Sequence, residues 1–141
     1  MKKLSVRQRT DTRERIKMTL QECYQELGGD FVAVSQRLSS SRLIEKFIGK
    51  FLEDGSFDAL CEAMARGERA EAFRAAHTLK GVCANMAFSR LMESASRLTE
   101  ALRPETDAIA PQAEALLEDV RRDYDATVAP IRSYLNRTQE L

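Results

Sequence analysis

Residues 76–81 read AHTLKG and hold His77, the one histidine in 141 residues. Lys80 follows at i+3 and Gly81 at i+4, so on a helix the three share a face. An imidazole in water is mostly neutral above about pH 7, and its unprotonated nitrogen can attack an electrophile to form a covalent intermediate. A phosphoryl group placed there brings strong negative charge, which a lysine ammonium one turn away offsets. Glycine costs a helix interior about 1 kcal/mol relative to alanine. Its use at Gly81 is to clear the surface beside the ring, so that something large can approach closely. No triad partner, metal-ligand cluster or nucleotide-binding loop accompanies these residues. The set suits a carrier that holds a phosphoryl group while a partner supplies the catalytic machinery. The plain alternative is a surface histidine without a role, since HxxK spacing alone is common.

A helix must position these residues, and its pattern is legible. At about 100° per residue, Ala72, Ala75, Ala76, Leu79, Val82, Cys83 and Met86 gather within about 60° of Leu79 as a core stripe. His77 lies about 160° from Leu79. It shares the outer face with Phe73, Arg74, Lys80, Gly81 and Ala84. An exposed face ordinarily carries long charged side chains, whereas this one carries small and aromatic residues beside two cations. Arg74 is a second source of positive charge there.

The surrounding elements read as all-α. The chain is 43% hydrophobic and 31% charged, which fits a globular protein, and its length suits one domain with its own core. Glycine and proline are scarce, and no alternating β-branched run with hairpin turns occurs. A first helix is expected over residues 11–27, with Asp11 and Glu14 at capping-box spacing and Ile16, Leu20, Cys23 and Leu27 on one stripe. Gly28 and Gly29 stop it, and Asp30 caps a short helix carrying Phe31, Val34 and Leu38. A strongly apolar helix follows over 41–54, ended by Gly55. Ser56 is expected to cap the next, which uses Phe57, Leu60, Cys61 and Met64 and closes at Gly67. The motif helix spans 68–86, and another spans 89–103 on Leu91, Ala95, Leu98 and Leu102. Pro111 opens a final helix with a stripe from Ala113 through Leu117, Val120, Tyr124, Val128 and Ile131 to Leu135. Pro130 should kink or split it. Short connections favour antiparallel neighbours. The expected architecture is an antiparallel up-and-down four-helix bundle over residues 41–138, with an N-terminal helical extension over 1–40 packed on it.

The formal net charge is zero, which argues against a nucleic-acid footprint. Lys2, Lys3, Arg7, Arg9, Arg13, Arg15 and Lys17 outnumber Asp11 and Glu14 near the start, a bias that a solvated helix face or frayed terminus accounts for. No helix-turn-helix pattern stands out. Cys23, Cys61 and Cys83 are odd in number and lack CxxC spacing, so they read as buried free thiols in a reducing compartment, not as a disulfide or metal site. No apolar run follows the basic start as in a signal peptide, and none has membrane-spanning length. The expectation is a cytoplasmic protein without cofactor, metal, membrane or nucleic-acid partner.

The stretch AHTLKGVCANMAFSRL resembles the histidine-containing phosphotransfer (HPt) family. The matching elements are His77, Leu79, Lys80 and Gly81, small residues at Ala76 and Ala84, and a following helix opening near Leu91. The wider similarity covers about residues 41–138. The resemblance implies that His77 is the phosphoacceptor, taking a phosphoryl group from a receiver-domain aspartate and returning it to another. It implies that Lys80 stabilises the phosphohistidine and that Gly81 gives the receiver room. It also implies a polar contact to the histidine from the next helix, for which Thr99 is best placed and Ser96 second, about 100° and 160° from Leu98. Phe73, Arg74, Gly81, Ala84, Thr99 and Ser96 make up the expected partner-binding set. The implied partners are receiver domains of response regulators or hybrid histidine kinases. A monomer is the natural default, and the chain offers neither a nucleotide-binding motif nor room for a kinase domain. The family commonly has a second glycine six residues after the first. Ala87 stands there, so another conformation at the helix end, or a slightly longer helix, is expected. The competing reading is a non-catalytic helical adaptor that docks receiver or kinase domains through Phe73, Gly81 and Ala84.

Overall fold

The computed structural model describes residues 18–140, with side chains described as far as Asn136. Seven helices follow one another among these residues, with no strand. They are α1 (Leu20–Leu27), α2 (Phe31–Arg37), α3 (Ser41–Phe51), α4 (Ser56–Arg66), α5 (Arg69–Met86), α6 (Ser89–Leu102) and α7 (Gln112–Glu140). From α4 to α7 each helix packs on the next, which makes the up-and-down four-helix bundle. α1 lies along α7, and α3 touches both α7 and α5. Leu60, Leu79, Leu91, Leu98, Leu102 and Ile131 are closed off from solvent at the centre. Burying each such side chain is worth about 1.5–3 kcal/mol against the entropy of ordering it.

Local sequence sets most of the boundaries. Asp30 accepts from the Ala33 N–H and Ser40 from the Leu43 N–H, so both act as N-caps. Gly28 and Gly67 end α1 and α4 in the left-handed conformation, at φ of 77° and 71°.

Three expectations about boundaries are corrected. The first described helix starts at Leu20, because Thr19 and Glu22 form a complete capping box. The Thr19 hydroxyl accepts from the Glu22 N–H, and the Glu22 carboxylate accepts from the Thr19 N–H. That hydrogen bonding also holds the Glu22 carboxyl below its ordinary range. Asp11, Glu14 and Ile16 lie outside the described residues. Ser56 is the first residue of α4 and not its cap. Gly55 occupies the cap position, and the Asp54 carboxylate accepts the Ser56 N–H instead. Finally, of the kink or split expected at Pro130 the split does not occur, because α7 runs continuously through it. Pro130 and Ala126, whose carbonyl loses its helical donor, are both partly exposed, so water can reach that carbonyl. Val128, Ile131 and Tyr134 are buried on either side and hold the two halves to the core.

The end of α5 is joined to the rest of the bundle by several hydrogen bonds. Ala87 adopts the left-handed conformation at φ 57°. The Phe88 N–H bonds the Cys83 carbonyl and the Ala87 N–H bonds the Ala84 carbonyl, a Schellman motif. The helix therefore ends where a glycine would end it, and neither the altered conformation nor the longer helix expected at Ala87 occurs. Left-handed geometry costs a residue with a Cβ about 1–2 kcal/mol. Phe88 supplies a compensating burial: it is closed off from solvent and packs 5.0 Å from the Phe51 ring and 5.7 Å from the Tyr24 ring.

Residues from α1 and α2 close this end. The Tyr24 hydroxyl donates to the Met86 carbonyl at 2.8 Å, the Asp30 N–H donates to the Ala87 carbonyl at 2.8 Å, and the Arg37 guanidinium donates to the Ala84 carbonyl. Burial pushes the Tyr24 hydroxyl's pKa up, which keeps it a donor. Gly29 is required for the approach, because a Cβ there would stand 2.8 Å from the Ala87 carbonyl oxygen.

Candidate functional site

α5 carries two faces, as its periodicity predicts. Ala72, Ala76, Leu79, Cys83 and Met86 are buried, with Ala75 and Val82 partly so. On the opposite face His77, Arg74, Gly81 and Ala84 are exposed, while Phe73 and Lys80 are half-exposed. A Cβ built on Gly81 meets no heavy atom within 4 Å, so the space beside His77 opens outward. The imidazole stacks on the Phe73 ring, with centroids 6.0 Å apart and planes 11° from parallel. No hydrogen bond or ion pair from the described residues engages it.

Two residues that sequence reasoning missed complete this surface. The Arg103 guanidinium lies over the other partner in the stack, 5.2 Å from the Phe73 centroid. Glu100 grips Arg103 through two hydrogen bonds, at 3.1 Å from Nε and 2.8 Å from Nη2. Those bonds hold the Glu100 carboxyl below its ordinary range, and the charges of Arg103 and Lys80 pull the same way. A signal for Arg103 was present. Phe73 and Arg103 lie fifteen residues either side of Phe88, so an antiparallel hairpin folded at that point brings them level.

The same reflection places Thr99 opposite His77, but its side chain does not reach the surface. Thr99 is fully buried, and its hydroxyl donates to the Ala95 carbonyl at 2.7 Å. The reason is that α6 packs on α5 along one side and α7 along the other. Its buried arc is therefore wider than a single stripe and takes in Ser94 and Thr99. Ser96 is half-buried on the flank. Arg74, expected beside the imidazole as a second cation, is ion-paired with Glu71 on its own helix.

The chemistry open to this arrangement is narrow. It offers a nucleophilic nitrogen in the open, a lysine within one turn, a second cation across an aromatic ring, and a gap for a large partner. Among the described residues no group of His, Cys, Asp or Glu is arranged to hold a metal ion. The three cysteines are unpaired, and burial pushes the Cys23 thiol up to about 12 and the Cys61 and Cys83 thiols upward as well. They are protonated thiols packed in or against the core, not nucleophiles. No described helix is long and apolar enough to cross a membrane.

Comparison with known proteins adds one positive finding. A family model described as Hpt domain matches residues 42–129, more than half of the chain. No curated protein and no solved structure matches it.

Proposed function

The chain belongs to the Hpt domain family, whose members serve phosphotransfer in two-component signalling, and from that premise we propose that it is a phosphorelay carrier with His77 as its phosphoacceptor. The donor is an aspartyl phosphate on a receiver domain. The lone pair of the unprotonated His77 nitrogen attacks phosphorus, and the bond from phosphorus to the aspartate oxygen breaks. The electron pair leaves on the carboxylate, and the ring keeps its other N–H. Transfer to a second receiver reverses these steps. Lys80 offsets the charge of the phosphoryl group. Gly81 and Ala84 keep the surface low where the receiver docks, and Phe73 orients the ring by stacking. Arg74 and Ser96 lie at the margins of that surface.

The carrying observation is the exposed imidazole beside open space at Gly81. A residue kept only for packing would not face outward next to a gap. The partners are receiver domains of response regulators or hybrid histidine kinases, and one exposed site suits a monomer. The proposal divides the chain into an N-terminal extension over 1–40 and the phosphotransfer bundle over 41–138.

Incubation with a phosphorylated receiver domain tests this directly. The protein should gain acid-labile, base-stable phosphate, and the His77→Gln variant should gain none. Label retained in His77→Gln would overturn the assignment. Receiver binding that survives His77→Gln, with no transfer to the unaltered protein, would instead identify an adaptor.

A further inference from the structure

We propose that Glu100 is a resident counter-anion for the phosphoryl site, a positioning residue that holds the positive charge of Lys80 and Arg103 while His77 is bare and competes for it once His77 is phosphorylated. This rests on the preceding reading of His77 as phosphoacceptor.

The geometry is a short chain of contacts across two helices. Glu100 holds Arg103 by two hydrogen bonds, Arg103 covers Phe73 at 5.2 Å, and Phe73 stacks on His77 at 6.0 Å. Lys80 reaches the same carboxylate electrostatically from α5. Arg103 by hydrogen bonds and Lys80 by its charge thus both act on one exposed anion. Arg74, the other cation of the face, is occupied by Glu71.

A phosphoryl group on His77 would add roughly two negative charges to this cluster. Lys80 and Arg103 must then divide between the phosphoryl oxygens and Glu100, and the two anions repel each other. Glu100 therefore raises the free energy of the phosphorylated state relative to the bare one. A carrier benefits from that, because a phosphoryl group held too tightly is not passed on. In the bare state the same carboxylate keeps Arg103 in place over Phe73. Glu100 and Arg103 are exposed and Lys80 half-exposed, so solvent and salt screen the effect to a modest size.

The test uses the full chain and phosphoramidate as a chemical phosphoryl donor. The His77 nitrogen attacks phosphorus, the phosphorus–nitrogen bond of the protonated donor breaks, and ammonia leaves with the electron pair. After donor removal, the phosphohistidine lifetime is followed by phosphorus NMR. Glu100→Gln should lengthen it about two- to fivefold at low salt, and Glu100→Lys further. The gain should shrink at about 1 M salt, where the Debye length is roughly 3 Å. It should shrink to the part left by direct repulsion between the two anions when Glu100→Gln is added to a Lys80→Ala, Arg103→Ala background, a dependence that a merely structural role would not produce. An unchanged or shorter lifetime in both single variants overturns the proposal, and so does an equal gain without the two cations. If receiver domains fail to phosphorylate the protein while the lifetime gain stands, the phosphorelay reading alone falls. If phosphoramidate leaves His77 of the unaltered protein unmodified, both fall.

Discussion

A β-carbon at Gly81 would meet no heavy atom within 4 Å, so the fold has no use for the missing side chain. Helix propensity and docking therefore pull in opposite directions at this residue. Gly81→Gln should stabilise the protein by about 0.5–1 kcal/mol through better helix propensity. It should slow phosphotransfer from a receiver by at least about tenfold, because small misplacements of reacting groups are costly. Urea unfolding and transfer kinetics on the same preparation check both halves, and unchanged transfer would remove the docking role given to Gly81. The position of the imidazole was legible in the sequence, since 160° of rotation away from Leu79 leaves it only the solvent. The depth of Thr99 was not legible. Burial there depends on α7 covering the second flank of α6, and a single helix's periodicity does not record how many neighbours it has. Glu100 and Arg103 escaped for a related reason. They look like an ordinary i,i+3 surface pair until the hairpin places Phe73 under the arginine.

At the scale of elements, caps were the dependable signals and competing caps the source of error. Asp30, Gly28 and Gly67 fulfil their expected roles because each supplies a group or a backbone conformation that few residues can. The start at Thr19 escaped because the apolar stripe of Ile16, Leu20, Cys23 and Leu27 continues through it, and Asp11 lies outside the described residues. Ala87 is the instructive case. Its sequence identity argued for a changed helix end, yet Phe88 burial and the carbonyl partners from α1 and α2 impose the same left-handed turn on a residue that dislikes it. Ala87→Gly should therefore change stability by less than about 1 kcal/mol. Relief of about 1–2 kcal/mol of backbone strain offsets the loss of one buried methyl, about 0.8 kcal/mol, and the greater freedom of glycine in the unfolded chain, about 0.5–1 kcal/mol. Denaturant unfolding measures this, and a loss above about 1.3 kcal/mol, the sum of the two costs without any relief, would show that the turn is not strained.

For the whole molecule, the bundle was the easiest part to read, because long helices with one apolar stripe and short connections leave few alternatives. What the stripes could not convey is where α1 and α2 attach. Their attachment runs through main-chain carbonyls at the end of α5, and backbone acceptors have no sequence signature. The contacts that join α1 to this region span great distances along the chain: Tyr24 to Met86 is 62 residues and Arg90 to Glu26 is 64. The hairpins α4–α5 and α5–α6 close over short loops, so loop-closure entropy favours them first. The clamp is then a late event in time. Tyr24 has nothing to bind until the α5–α6 turn exists. Tyr24→Phe, which leaves the Met86 carbonyl without that donor, should destabilise by about 1–2 kcal/mol. Nearly all of that change should appear as faster unfolding, with the folding rate unaltered, in stopped-flow measurements. The residues that secure the phosphoacceptor helix would then act as a brake on its unravelling, setting how long the site persists and not how fast it forms.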